Sequence, residues 1–198
     1  MTPRTARLIL VLSAFIAGLV LFSAVVFIVT GRSPAPIALP SAIGGPFHLV
    51  DSNSQPISDQ DLKGRPYLVF FGFTHCPDVC PTTLFEVSEI LRKLGPDADK
   101  TKALFVTVDP ERDTAPVMKD YLSSFDPHLV GVTGEPAAIA AMLKSYRVYS
   151  KKVPLEGGNY TMDHTAIVYL MDKTGRFVSP FNVKRKPEDA VADLRKHF

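Results

Sequence analysis

An uncharged apolar stretch near the N-terminus most constrains what this chain can fold into. Leu8 to Val29 contains no charged residue and is interrupted only by two serines and one glycine. A helix of about 22 residues rises about 33 Å, which is enough to cross a bilayer core of about 30 Å. A helix that is apolar on every side fits poorly in a soluble domain. The sequence therefore predicts a transmembrane helix over residues 8–29.

The charges around this stretch predict its orientation. Arg4 and Arg7 precede it, Arg32 follows it, and the next basic residue is Lys63. The positive-inside rule places residues 1–7 in the cytoplasm. The stretch is longer than the apolar region of a cleaved signal peptide and ends without an A-x-A-like site, so we predict an uncleaved, single-pass signal anchor. The N-terminus lacks the Arg- and Ser-rich character of a transit peptide, which favours the bacterial inner membrane with the C-terminal domain facing the periplasm.

The remainder of the chain is expected to form a linker and one domain. Residues 30–42 are rich in proline and glycine, which predicts a linker. Residues 43–198 form a segment of about 155 residues, which is long enough to bury a hydrophobic core without disulfide bonds. The three arginines at positions 4, 7 and 32 contribute +3 to the formal net charge of +2, so the rest of the chain carries a formal charge of −1. The domain is therefore nearly neutral, and nucleic acid is not an expected partner.

Within the domain, predicted strands alternate with predicted helices. Tyr67 to Phe73 is continuously apolar, as in a strand that is covered on both faces, and Pro81 to Leu94 has apolar residues at helical spacing. Further strands are predicted at 47–50, 104–108, 129–133, 147–153, 165–171 and 176–181, and further helices at 114–124, 135–146 and 187–196. This alternation, followed by a terminal hairpin, predicts an α/β sandwich around a mixed central sheet.

Two cysteines stand where the predicted central strand meets the first long helix. Cys76 and Cys80 are the only cysteines in the chain, too few for a disulfide scaffold. Open α/β sheets place their sites at this edge, and the N–H groups of a helix N-terminus favour a thiolate. Residues four apart on a helical turn share a face, so the two sulfurs can bind one metal ion or form a disulfide. We therefore prefer a functional pair to two core cysteines.

Two chemistries remain open for this pair. The first is dithiol redox chemistry, although a thioredoxin-type pair is separated by two residues and this pair by three. The second is metal binding, because two thiolates favour Cu(I) or Zn(II). Tetrahedral zinc normally takes four ligands, so a metal site here needs at least one further donor. A peroxiredoxin-like peroxidase, which relies on a single activated cysteine, fits the paired motif less well.

A histidine is the expected additional ligand. His75 adjoins Cys76, but neighbouring side chains rarely point the same way. His164 follows the loop at 154–159 and precedes a predicted buried strand, so it is expected to overhang the cysteines if that strand lies beside theirs. The other histidines show no pattern that indicates a ligand: His48, His128 and His197.

Four acidic residues near these motifs have simpler interpretations. Asp163 is either a partner that orients His164 or a turn residue, and both interpretations stay open. Asp78, between the cysteines, is expected to cap the helix. Asp109 and Asp113 are expected to structure the loop after the 104–108 strand.

Three segments together resemble the Sco/SenC family of copper proteins. They are Val69–Leu84 with the Cys-Pro-Asp-Val-Cys-Pro motif, Phe105–Thr114 with Val-Asp-Pro-Glu-Arg-Asp, and Asp163–Thr165. They occur in the order and at separations similar to those of the family. The resemblance covers the chain from Phe47 to the C-terminus, together with the single membrane anchor.

The resemblance implies a thioredoxin-like fold and copper, as Cu(I), Cu(II) or both, bound by Cys76, Cys80 and His164. It further implies a membrane-anchored metallochaperone that assists assembly of the binuclear copper centre of cytochrome c oxidase subunit II. A chaperone is expected in preference to an enzyme, and thiol–disulfide oxidoreductase activity of the cysteines stays open. The alternative is a thiol–disulfide reductase that keeps the oxidase cysteines reduced. Expected partners are that subunit, other periplasmic copper chaperones and thioredoxin-like reductants.

Overall fold

The computed structural model describes residues 3–30 and 43–198, which fall into two units. The first holds helix α1, Pro3–Thr30. Its segment Ile9–Phe27 has a mean hydropathy of 2.8 and is exposed throughout, so by length and composition it is able to cross a membrane. The anchor predicted over residues 8–29 stays a prediction. Apart from Thr30, the predicted linker lies outside the described residues.

The second unit is built on a seven-stranded sheet. Its strands, in chain order, are β1 (His48–Asp51), β2 (Pro56–Ser58), β3 (Tyr67–Gly72), β4 (Lys102–Thr107), β5 (Leu129–Thr133), β8 (Val168–Met171) and β9 (Phe177–Pro180). The intervening strands β6 (Ser150–Pro154) and β7 (Tyr160–His164) are not part of this sheet. The spatial order is β2-β1-β5-β4-β3-β8-β9. The three inner strands β3, β4 and β5 run parallel, and the flanking strands pair antiparallel. The mixed central sheet predicted from the sequence is confirmed.

Four helices accompany the sheet: α2 (Val79–Leu94), α3 (Ala115–Leu122), α4 (Pro136–Ser145) and α5 (Pro187–Arg195). Helix α2 buries Leu84, Val87 and Leu91, spaced three and four residues apart, which is the apolar face that predicted it. Helix α5 packs against α2, and α3 packs against β5. The α/β sandwich therefore has the alternating order that the sequence predicted.

Strand β3 occupies the middle of the core. Every one of its residues is buried, and Phe70 pairs with Phe105 of β4 on one side and Val168 of β8 on the other. A strand with neighbours on both edges and cover on both faces needs a continuous apolar run, so this part of the prediction is confirmed. The end of β3 places the following loop at the middle of one edge of the sheet.

The region before β8 differs from the prediction. Strands β6 (Ser150–Pro154) and β7 (Tyr160–His164) pair with each other in a separate two-stranded sheet, here called the hairpin. The strand predicted at 165–171 begins only at Val168. Gly157 and Gly158 have φ values of 77° and 80°, a conformation open to glycine, and they turn the chain back on itself. The strand predicted at 147–153 appears as β6, the loop predicted at 154–159 forms the turn of the hairpin, and β7 has no counterpart in the prediction.

Candidate metal centre

The two cysteines lie at the junction of β3 and α2. Cys76 is in the connecting loop, and Cys80 is in the first turn of α2. The N–H groups of a first helical turn lack partners within the helix. That of Cys80 donates a hydrogen bond to the Sγ atom of Cys76 at 3.4 Å. The start of the helix thus fixes one sulfur relative to the other.

The third member of the cluster comes from the hairpin. His164 ends β7, and its Nε2 lies 3.6 Å from Sγ of Cys80. The ligating atoms of Cys76, Cys80 and His164 all lie within 4.8 Å of one another. Nδ1 of His164 is 3.1 Å from the carbonyl oxygen of Thr165. A carbonyl oxygen only accepts, so Nδ1 carries the proton, and the Nε2 lone pair is left to face the sulfurs.

Two phenylalanines hold the imidazole in place. The ring of His164 packs edge-to-face against Phe73 at a centroid distance of 5.8 Å and against Phe70 at 6.5 Å. Aromatic rings prefer this arrangement, which also restricts rotation of the smaller ring. Both phenylalanines belong to β3 or directly follow it, so one strand supports the histidine and leads into the cysteine loop.

Gly72, the last residue of β3, is required by the position of Cys80. A Cβ atom on Gly72 would lie 2.7 Å from Sγ of Cys80 and 2.7 Å from the ring of Phe105. Both distances are shorter than a van der Waals contact, and neither neighbour has room to withdraw because both are buried. The missing side chain lets the sulfur pack directly on the backbone of β3.

We expect Gly72→Ala to destabilise the metal-free protein by about 1–3 kcal/mol, the usual cost of overpacking a core. The added methyl group must displace Cys80 or Phe105, and movement of Cys80 would separate the two sulfurs. Urea unfolding of reduced wild-type and variant protein measures the first effect, and copper affinity measures the second. Unchanged values in both experiments would contradict the close approach described here.

The two cysteines have different electrostatic environments. Cys80 is fully buried, and this burial, reinforced by the neighbouring Cys76, raises the pKa of its thiol well above the ordinary range. Cys80 is therefore protonated at neutral pH when no metal is bound. Cys76 is partly exposed. The residue that carries one sulfur is thus partly open to solvent, and the residue that carries the other is not.

A buried carboxylate holds the cysteine loop through hydrogen bonds. Asp113 is fully buried and accepts hydrogen bonds from the backbone N–H of Thr74 at 3.1 Å and from its hydroxyl at 2.6 Å. It also accepts one from the hydroxyl of Thr107, at the end of β4, at 2.7 Å. The loop that carries Cys76 is therefore tied to the neighbouring strand, in agreement with the structural role expected of Asp113.

The other candidate residues lie outside the cluster. His75 is exposed, and its Nδ1 is 3.1 Å from the hydroxyl of Thr74. Asp163 is exposed and points to the opposite face of β7 from His164, so the orienting partner is the Thr165 carbonyl and not Asp163. Asp78 occupies the N-cap position of α2 without a capping hydrogen bond from its side chain. Within the described parts of the chain, the remaining histidines join no group of three ligating residues: His48, His128 and His197.

Sequence reasoning missed several residues that build the site. Gly72 and Phe73 were interpreted only as part of a buried strand, and Tyr160 was assigned to no element. The alternation of Tyr160, Met162 and His164 is the period-two signal of a strand, and it was available in the sequence. The close approach at Gly72 depends on tertiary packing and had no local signal.

Comparisons with known proteins agree with this geometry. Residues 36–198 match the SCO1/SenC family. The mouse "Protein SCO2 homolog, mitochondrial" is 38% identical over 162 residues, which are 80% of this chain and 64% of that protein, so the chain spans less than two thirds of it. The "SCO2-like protein" of Rickettsia felis is 36% identical over 155 residues, which are 77% of this chain and 76% of that protein.

A solved structure is similar to the C-terminal domain as well. The structure of Bradyrhizobium japonicum ScoI with copper bound has a TM-score of 0.78 and 65% sequence identity, and the match covers 79% of this chain and 99% of that one. The thioredoxin-like fold expected from the sequence is thereby confirmed. Because the family match covers most of the chain, and because the similarity extends from sequence to fold, the chain belongs to the SCO1/SenC family.

Proposed function

We propose that this protein is a membrane-anchored copper metallochaperone that assists assembly of cytochrome c oxidase, with the binuclear copper centre of subunit II as the recipient. The observation that carries the proposal is the convergence of Cys76, Cys80 and His164, whose ligating atoms lie within 4.8 Å of one another. Further support comes from the 65% identity to a ScoI protein whose structure contains copper. Copper is the cargo of this protein, and the three side chains are its proposed ligands.

The donor set fits copper better than the alternatives. Two thiolates and one imidazole are soft to intermediate ligands, which suit Cu(I) in a three-coordinate site and Cu(II) when a further ligand joins. A structural zinc site normally takes four protein ligands, and in the described residues this cluster contains three. Nε2 of His164 is the free nitrogen, so no change of tautomer is needed for it to bind.

The exposure of the cluster fits transfer by ligand exchange. Cys76 and His164 are partly exposed, whereas Cys80 is fully buried. An incoming donor from a partner can therefore replace Cys76 or His164 first, while Cys80 still holds the ion. We propose that copper leaves in this order, so that it is never without protein ligands during the transfer.

We infer the cellular setting of the site from the N-terminal helix. The apolar segment Ile9–Phe27 supports a single-pass anchor in the inner membrane, with the copper domain in the periplasm. Anchoring would hold the domain near an oxidase in the same membrane. Other periplasmic copper chaperones are the proposed donors, and thioredoxin-like proteins are the proposed reductants of the cysteines.

A Cu(I) titration of the reduced protein against a competing chelator tests the proposal. We expect one copper per chain and an affinity that rises with pH, because copper must displace the proton that burial keeps on Cys80. For each proton released, log K should rise by about one per pH unit below the pKa of that thiol. A different stoichiometry would contradict it. So would an affinity that stays constant between pH 6 and 8 instead of rising by about two units in log K for each proton released.

One observation favours a second function, that of a thiol–disulfide reductase. A partly exposed Cys76 stands beside a buried Cys80, as an attacking and a resolving sulfur would. The Cys76 thiolate would break a partner disulfide, form a mixed disulfide with one partner sulfur and release the other as a thiol. Cys80 would then attack Cys76 Sγ, its proton passing to the departing sulfur, which leaves as the second partner thiol, and a Cys76–Cys80 disulfide forms. The partner is reduced by two electrons as the pair is oxidised. This chemistry needs both cysteines and has no use for His164.

A further inference from the structure

The hairpin that carries His164 is not part of the main sheet. In the described residues, β6 and β7 pair only with each other. A two-stranded hairpin is marginally stable in water by itself. The contacts that attach it to the rest of the domain therefore determine where the imidazole lies relative to the two sulfurs.

One group of these attachments is at the opposite end of β7 from His164. The hydroxyl of Tyr160 donates a hydrogen bond to Oδ1 of Asp109 at 2.9 Å. The backbone carbonyl of Tyr160 accepts one from Nη1 of Arg112 at 3.0 Å. The guanidinium of Arg112 also lies over the Tyr160 ring, 3.7 Å from its centroid, and pairs with the buried Asp109. We call Asp109, Arg112 and Tyr160 the clamp.

The clamp acts on the same face of β7 as the ligand. Alternate residues of a strand share a face, so Tyr160, Met162 and His164 point the same way. Met162 packs against the hydrophobic core between them. A second ion pair, from Lys152 of β6 to Glu111 at 2.8 Å, holds the other strand of the hairpin against the loop of the clamp. Loss of the Tyr160 contacts would therefore let the face of β7 that carries His164 move away from the two cysteines.

The clamp also touches the packing around the imidazole. The guanidinium of Arg112 lies 5.9 Å from the centre of the Phe73 ring, and that ring packs edge-to-face on His164. Arg112 thus contacts both the strand that carries His164 and the aromatic ring that supports it. The loop between β4 and α3 is in this way connected to the third ligand by two separate sets of contacts.

We propose that Asp109, Arg112 and Tyr160 are positioning residues that hold His164 over the cysteine pair and so set how tightly the third donor binds copper. This inference rests on the proposed function, because it assigns these residues a role in the affinity of that same site. On this view the position of His164 depends on the hairpin, which is attached to the domain by side-chain contacts. The positions of both cysteines depend on β3 and α2. Opening of the clamp would release His164 while the two sulfurs stay in place.

Tyr160→Phe tests the inference with the smallest change. It removes one hydrogen bond to a buried carboxylate, which Arg112 still neutralises, so the protein is expected to fold. We expect about a tenfold loss of Cu(I) affinity, the effect of one hydrogen bond to a charged group. Tyr149→Phe removes a hydroxyl from a half-exposed tyrosine just before the hairpin and serves as the matched control, with unchanged affinity expected.

The same substitution in a His164→Ala background separates positioning from general stability. If the clamp acts through His164, Tyr160→Phe should no longer change Cu(I) affinity once the imidazole is gone. An equal loss in both backgrounds, or no loss in the wild-type background, would overturn the inference.

Measurements without copper keep this test independent of the proposed function. In the metal-free protein, hydrogen exchange of the β7 amides should accelerate in Tyr160→Phe and not in Tyr149→Phe, and the NMR signals of the His164 ring should broaden or shift. Unchanged exchange and unchanged ring signals would overturn the clamp even if the wild-type protein binds no copper. If only copper binding failed, the proposed function would be contradicted. The hydrogen-exchange and NMR results would still show whether the clamp positions His164.

Discussion

Replacing Cys80 with serine is expected to weaken Cu(I) binding by about a thousandfold or more. Loss of a residue that only orients a metal ligand costs about 10–100-fold, and this substitution removes a thiolate ligand itself. A serine hydroxyl is a poor donor for Cu(I) and keeps its proton at any physiological pH. Competition with a chromogenic Cu(I) chelator measures the loss directly.

A second variant tests whether misfolding at this buried position explains the loss of copper binding. Cys80→Ser leaves a hydroxyl in an apolar environment, whereas Cys80→Ala leaves only a small cavity, so the two variants should differ in unfolding free energy. Both should nevertheless lose copper to the same extent, because neither supplies a thiolate. Tight one-to-one binding by the alanine variant would show that Cys80 is not a ligand.

Replacing His164 with alanine is expected to lower copper affinity by about a hundredfold or more and to change the spectrum of the Cu(II) form, because the only nitrogen donor of the cluster is lost. Nitrogen hyperfine coupling in the electron paramagnetic resonance spectrum of the Cu(II) protein should disappear. Reduction of a partner disulfide should continue, since both cysteines remain. This variant therefore distinguishes the metallochaperone from the reductase.

Two other histidines provide controls for that experiment. His75 adjoins Cys76 in sequence but contacts Thr74, and His48 lies in β1. Alanine at either position should leave copper affinity and the Cu(II) spectrum unchanged. If His75→Ala removed the nitrogen coupling and His164→Ala did not, the ligand assignment would be wrong. If His164→Ala abolished disulfide reduction as well, the two functions could not be separated by this route.

The parts of the fold that could be predicted are those with a local signal. The run from Tyr67 to Phe73 and the spaced apolar residues of α2 depend only on burial and periodicity, and both elements appear where the sequence predicts them. The cysteine pair was recognisable because its position between strand and helix is itself a local pattern. His164 was identified from its place before a buried strand.

The parts that could not be predicted depend on contacts between distant segments. The hairpin was only half recognised, because β7 is short and follows a Gly-rich turn that resembles a loop. The clamp joins Tyr160 to Asp109, and nothing near either residue in sequence indicates the other. The preference for the Thr165 carbonyl over Asp163 as the partner of His164 depends on which face of β7 each residue occupies, which requires the register to be known.

The proposed ligands are far apart along the chain, and this has a consequence for the loaded molecule. Cys80 and His164 are separated by 84 positions. A copper ion held by both residues would act as a removable cross-link that closes a long loop of the chain. An ion that binds the native state in preference to the unfolded state raises the stability of the native state by mass action. An unfolded chain keeps the two neighbouring cysteines but loses the third donor, so the three-donor site exists only in folded molecules. Delivery of the copper would then return the protein to its less stable, metal-free state. The free energy of unfolding would therefore rise and fall with each round of transfer.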